Sequence, residues 1–186
     1  MLEIEQVRSV ELDFPRTRQT YTCDCGPDIL VPTLVYYGVE WREDQVMKLA
    51  HLRKSGTNKA DILHCINYFG FDHRDGQLTL EDICDGIDHE WPTIITLQAY
   101  GANPVDYSTD YDDGHWVAAI GYYMNDSRVT RIIFQDPSSF VRTWLSPTEL
   151  QERWHDIDAG KKKIHNWGCT VIGTPVYRST EIRHMD

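Results

Sequence analysis

The sequence has no apolar run long enough to cross a bilayer, which takes about 20 residues. Its opening, MLEIEQVRSVELDF, lacks the basic start and apolar stretch of a secretory signal. The cytoplasm is therefore the expected location, and there cysteines stay mostly reduced. Basic residues are scarce: 18 Lys and Arg stand against 29 Asp and Glu, for a net charge of −11. Nucleic acid and anionic membrane both need a basic footprint, so neither is expected as a partner. A cationic peptide suits this charge. No repeat, low-complexity segment or clear linker divides the 186 residues, and that length suits one domain with a real core, spanning 1–186. There is no CxxC. Of five cysteines, Cys23 and Cys25 form a CxC, while Cys65, Cys84 and Cys169 stand apart. Zinc shared with His64 and Cys65 would need a second paired-ligand cluster, which the sequence does not offer.

What is present is concentrated between Arg18 and Gly38, RQTYTCDCGPDILVPTLVYYG. A polar, turn-rich lead-in ends at Cys25. Pro27 fits a first helical turn and Gly38 a left-handed C-cap, and the run between them is apolar on nearly every side. The pattern predicts a helix buried all round. Cys25 then lies at its N-terminus, where unpaired N–H groups and the helix dipole favour an anion and ease ionisation of a thiol. Packing as a small apolar residue is the alternative for Cys25.

Ile4 to Phe14 alternates weakly, as an edge strand would, and Pro15 ends it. Helices are expected over Glu43–Leu52, Asn58–Phe69 and a short stretch from Thr79, its N-cap. From Pro92 the pattern changes. Strands are expected over Thr93–Tyr100, His115–Met124, Val129–Gln135 and Thr170–Tyr177, with a helix over Ser146–Asp156 that has Ser146 as N-cap, Pro147 first and Glu149 in the capping-box position. Helices first and strands second predict an α+β fold with an antiparallel sheet. The loop 101–114 carries Asp106, Asp110, Asp112 and Asp113 without EF-hand spacing, and reads as a solvated acidic rim able to attract basic residues of a substrate. Lys161 to Lys163 reads as an exposed loop.

A two-residue turn at Asn125-Asp126 would pair Met124 with Ser127 and place His115 directly opposite Asp136. Cross-strand neighbours on one face have Cβ atoms about 4.5–5.5 Å apart, close enough for a carboxylate to hold an imidazole. Trp116 falls on the opposite face and reads as core. A thiol at a helix start and a histidine oriented by a carboxylate are the parts of nucleophilic acyl transfer. Gln19, six residues before Cys25, is the candidate side-chain donor to an oxyanion, with the Cys25 backbone N–H as its partner.

The Q-x5-C-G-P spacing from Gln19, Gly114-His115-Trp116-Val117 followed by Ile120-Gly121-Tyr122, the turn Gln135-Asp136-Pro137 and the segment Ser146 to Trp154 together resemble the bacteriocin-leader-processing, double-glycine cysteine peptidases. The resemblance runs in order from Gln19 to about Trp154. It implies a papain-like fold, with a helical half over about 15–90 bearing Cys25 packed on a sheet half over about 91–178 bearing His115 and Asp136. It implies Cys25 as nucleophile, His115 as general base and acid, Asp136 as the group orienting it, Gln19 in the oxyanion hole, and no metal or organic cofactor. Peptide or isopeptide hydrolysis through a thioester is the expected activity. An acyltransferase using the same acyl-enzyme and a peptide-binding module without turnover are the alternatives. Three positions depart from the family pattern: Asp28, whose charge opposes a nearby thiolate; Pro32, inside the helix; and Cys23, a second thiol. No transporter segments follow, so a role in export is not expected.

Overall fold

A computed structural model describes residues 7–102 and 106–185. Helix α1 (Cys25–Tyr36) is the pivot, and ten of its twelve residues are buried, as an apolar run without a polar face requires. Tyr37 caps it, and Gly38 follows at φ +82°, the left-handed step a non-glycine residue takes only at a cost. Pro32 has no N–H to give the Asp28 carbonyl one turn earlier. The Thr17 hydroxyl takes that place, 2.9 Å from Asp28 O. The same Thr17 oxygen lies 3.0 Å from Asp28 Oδ2, and one hydroxyl proton cannot serve both acceptors. Burial, only partly offset by Thr17, lifts the Asp28 carboxyl to about 7, with Glu43 and Asp24 pushing the same way. A protonated Asp28 donating to Thr17 satisfies every group there.

Helices α2 (Glu43–Leu49) and α3 (Lys59–Tyr68) pack beside α1. α4 (Leu80–Asp88) opens on Thr79, whose hydroxyl accepts from Asp82 N at 3.1 Å. α5 (Pro147–Arg153) opens in the same way on Ser146, which accepts from Glu149 N at 3.3 Å. The strands are β1 (Val7–Glu11), β2 (Asp72–Gln77), β3 (Thr93–Gln98), β4 (Gly114–Asn125), β5 (Arg128–Gln135), β6 (Thr143–Leu145), β7 (His155–Asp158), β8 (Lys162–His165) and β9 (Trp167–Ile172). The main sheet is antiparallel in the order β2-β9-β3-β4-β5-β6, with β1 also paired to β4. α1 packs on β4, the longest strand. The fold is α+β and papain-like in plan, a helical half carrying the Cys25 helix against an antiparallel sheet.

Several boundaries differ from expectation for physical reasons. β2, DHRDGQ, lies between two helices and was not expected: it is an edge strand with no apolar alternation, held by its pairing to β9. α5 stops at Arg153 because His155 begins β7. Lys162 and Lys163 are exposed, yet they lie in β8 rather than a loop. The last strand ends at Ile172, because the Val176 and Tyr177 N–H groups bond to the Tyr36 carbonyl at the end of α1 instead of to a strand.

The β4–β5 hairpin corrects the expected register. Asp126 and Ser127 form the turn with positive φ, Asn125 pairs with Arg128, and Met124 pairs with Val129 instead of Ser127. Two bulges follow, between Tyr123 and Met124 and between Ala119 and Gly121. Pairing ends at Ala118 with Gln135, so Asp136 continues opposite Val117 and diagonal to His115. The slip is even in residue number, so it leaves side-chain faces unchanged. His115 and Asp136 therefore still share a face.

β4 starts against β7 with little room. A Cβ on Gly114 would lie 2.5 Å from Asp156 Oδ1. Asp156 cannot easily yield, because Thr96 Oγ1, Gln98 Nε2 and the Ile157 N–H all donate to its carboxylate. Gly114→Ala is expected to cost about 1–3 kcal/mol, read as a fall of several degrees in a thermal melt. Asp28 gives a second expectation. Because its folded pKa is raised, ionising it removes stability as pH climbs from the unfolded value near 3.8 through about 7. Asp28→Asn should therefore raise the melting temperature at pH 8 and have little effect at pH 4.5; equal effects at both pH values would contradict the buried, protonated acid.

Candidate active site

Three segments meet at the N-terminus of α1: the lead-in 17–24, the start of β4 and the turn after β5. Cys25 is the first residue of α1 and is 8% exposed, so its sulfur is largely buried while its backbone N–H is one of the four with no partner in the helix. The lead-in is pinned by Asp24. That side chain is fully buried, and its Oδ2 accepts from Thr20 N at 3.0 Å and Tyr21 N at 2.9 Å. Asp24 thus bonds backward to the loop and does not cap its own helix.

His115 stands near the start of the interior strand β4, as its second residue and across from Leu97 of β3, and is 6% exposed. Its Nε2 lies 2.9 Å from Asp136 Oδ1. The Cys25 side chain is near enough to favour the charged ring. Burial by itself disfavours the charged ring, but hydrogen bonds with Asp136 and Cys25 outweigh it and lift the imidazole to about 9. Asp136 moves the other way. Burial pushes its carboxyl up, and the bonds from His115, Tyr100 and Ser138 more than reverse that, leaving it below the ordinary carboxylate range.

Asp136 is fully partnered. Oδ1 takes His115 and, at 2.8 Å, the Ser138 N–H; Oδ2 takes the Tyr100 hydroxyl and, at 3.1 Å, Thr143 Oγ1. Asp136 is a turn former before Pro137 and the histidine's partner at once. Tyr100 and Thr143 are supports the sequence reading did not identify. Tyr100 follows the end of β3 at φ +64°, and its ring meets His115 edge-on at 5.5 Å. Burial, followed by the bond to Asp136, raises its hydroxyl pKa, so it stays a donor. Nothing in the local sequence marks a tyrosine for a left-handed backbone, and Thr143 reaches the site only because β6 pairs with β5.

Gln19 lies at the same junction, tied to the turn after β5. Its N–H donates to Pro137 O at 2.9 Å and its Oε1 accepts from Ser138 Oγ at 3.1 Å, while its Nε2 donates to Tyr21 O at 2.7 Å. Trp116 is buried on the other face, where its Nε1 donates to Thr57 O at 3.2 Å. The acidic loop is anchored at several points rather than free. Asp110 O meets His155 Nε2 at 2.7 Å and the Asp113 N–H donates to Gln98 Oε1 at 3.0 Å; Asn103, Pro104 and Val105 lie outside the described residues. All five cysteines are free thiols. No helix among the described residues is long and apolar enough to cross a membrane.

A buried thiol, an imidazole and a carboxylate can together carry out nucleophilic acyl chemistry, and comparisons with known proteins give the chain's family and fold. The peptidase C39 family model matches residues 13–158. No curated protein sequence matches significantly. Among solved structures, the chain is similar to the peptidase domain of Streptococcus ComA, a bi-functional ABC transporter involved in a quorum-sensing pathway, at 20% identity and a TM-score of 0.61, covering 85% of this chain and 97% of that one. It is similar to a putative C39-like peptidase from Bacillus anthracis at 13% identity and a TM-score of 0.69, covering 91% and 100%. A double glycine motif protease from an AMS/PCAT transporter, solved in complex with its leader peptide, aligns at 15% identity and a TM-score of 0.61, covering 91% and 98%. At these identities the structures speak for the fold, while the family match spans most of the chain: this protein belongs to the peptidase C39 family of cysteine peptidases.

Proposed function

We propose that this chain cleaves peptide bonds through a thioester on Cys25. The observation that carries the reading is the buried His115–Asp136 pair, 2.9 Å apart, with the buried Cys25 near enough to favour the charged ring. His115 takes the thiol proton. The sulfur attacks the scissile carbonyl carbon, and the carbonyl oxygen becomes an oxyanion facing the Cys25 backbone N–H and the Gln19 amide. The C–N bond then breaks as His115 returns the proton to the leaving amine. Water, deprotonated by His115, attacks the thioester, releasing the acid and restoring the thiol. Asp136 holds the ring's orientation and balances the imidazolium charge. The leader peptide bound by the AMS/PCAT relative supports a peptide as the substrate class, and the acidic net charge suits a basic one.

The departures at Asp28 and Pro32 do not weigh against turnover. Asp28 is turned to Thr17 and its carboxyl pKa is near 7, so much of its charge is absent close to neutrality. The Pro32 gap in the helix ladder is filled by Thr17.

Alkylation with iodoacetamide tests the thiol directly. Burial pushes Cys65 and Cys169 up to about 12 and Cys84 to about 11, so these react slowly near neutrality. Mass spectrometry should find Cys25 labelled at pH 6 and the labelling lost in His115→Ala; unchanged labelling in that variant would sink the proposed activation of the thiol by His115. The pH profile gives a further test. The imidazolium persists below about pH 9 and is lost above it, so kcat/KM should fall on the alkaline side near pH 9. Asp136→Asn removes an interaction that raises the histidine, so this limb should move to lower pH, with a loss of roughly 10²–10⁴-fold in kcat.

A further inference from the structure

On the sheet side of His115 lies a cavity of about 360 Å³ that the chemistry above does not use. This is within the range of pockets that hold a small organic group. Leu97, Val117, Phe134 and Leu145 supply its apolar walls, on the face of the sheet that His115 and Asp136 share. Aromatic rings of Tyr100, Tyr107 and Trp144 complete it. No residue of α1 lines it, and Cys25 does not reach it. His115 lines this space, beside the position a leaving group takes as it accepts a proton from the ring.

Of the polar groups on the walls, Asp136 holds four donors, and the Arg153 guanidinium stacks over the Tyr107 ring at 3.9 Å. Beside these, Leu97, Val117, Phe134 and Leu145 offer an occupant apolar contact, which favours an apolar group over water against that wall. Its position selects which group. In acyl transfer the acyl half of the substrate stays bonded to sulfur, on the α1 side. The other half departs as an amine that takes its proton from His115, so the residue supplying that nitrogen passes on the histidine side.

Resting on the peptidase reading, we propose that this cavity is the specificity pocket for a large aliphatic or aromatic side chain on the residue immediately after the scissile bond. Side chains of leucine, methionine or phenylalanine would occupy it, whereas glycine leaves it empty.

The test is a peptide library randomised on both sides of the cut, digested by the full chain and read by mass spectrometry. Leucine, methionine or phenylalanine after the cut should exceed glycine by about tenfold or more in kcat/KM, the scale of apolar-pocket discrimination. Leu145→Trp fills the cavity and should collapse the leucine-to-glycine ratio towards one. Leu145→Ala enlarges it and should shift preference from leucine to phenylalanine or tryptophan, and it keeps the proposal testable where the bulky variant fails to fold. Cleavage with no bias at that position, or a bias that neither Leu145 variant alters, overturns the pocket and leaves the peptidase reading standing. Absence of cleavage across the whole library overturns both.

Discussion

A buried carboxylate needs donors, and the way Asp136 acquires them organises the site. An ionised group taken out of water is costly unless its oxygens are hydrogen-bonded. Asp136 meets that demand with donors from four places: His115 of β4, the Ser138 backbone in its own turn, Tyr100 beyond β3, and Thr143 of β6. Each fixes a segment that would otherwise be independent. The carboxylate stays charged, the imidazole is drawn into the charged form beside it, and the ring is left with one orientation. Removing a donor would both loosen a segment and leave charge less compensated, so structure and electrostatics cannot be separated here.

On the helical side the same accounting of polar groups explains residues that look out of place. Asp28 and Pro32 would each disturb a buried helix. Together with Thr17 they do not, because the hydroxyl answers the carbonyl that proline leaves open and, below about pH 7, accepts from the acid whose pKa burial raises. Asp24 holds the lead-in against the helix start, and Gln19 ties that lead-in to the turn carrying Asp136. The two halves are thus joined through main-chain and side-chain bonds between the lead-in to α1 and the turn after β5.

Elements with strong local signals were legible. The Thr79 and Ser146 caps, the buried run of α1 and the apolar strands β3 to β5 stand close to their expected places, because turn chemistry and periodicity are local properties. β2 and the β7–β8 hairpin were not, since polar edge strands are defined by the partner they pair with. The pairing of His115 with Asp136 was expected from an incorrect register. It holds because two compensating bulges and a displaced turn leave an even slip, which preserves faces, and because a diagonal neighbour is still within side-chain reach.

The sequence by itself determined the class of fold, the burial of the α1 helix with a thiol at its start, and the residue types needed for acyl transfer, since each follows from composition, spacing or local backbone preference. Tertiary structure decided how those residues are placed: the true register, the supports at Tyr100 and Thr143, the raised pKa of Asp28 and the cavity beside His115. These depend on which distant surfaces are packed together and on how far water is excluded from them, and neither quantity is a property of any short stretch of chain.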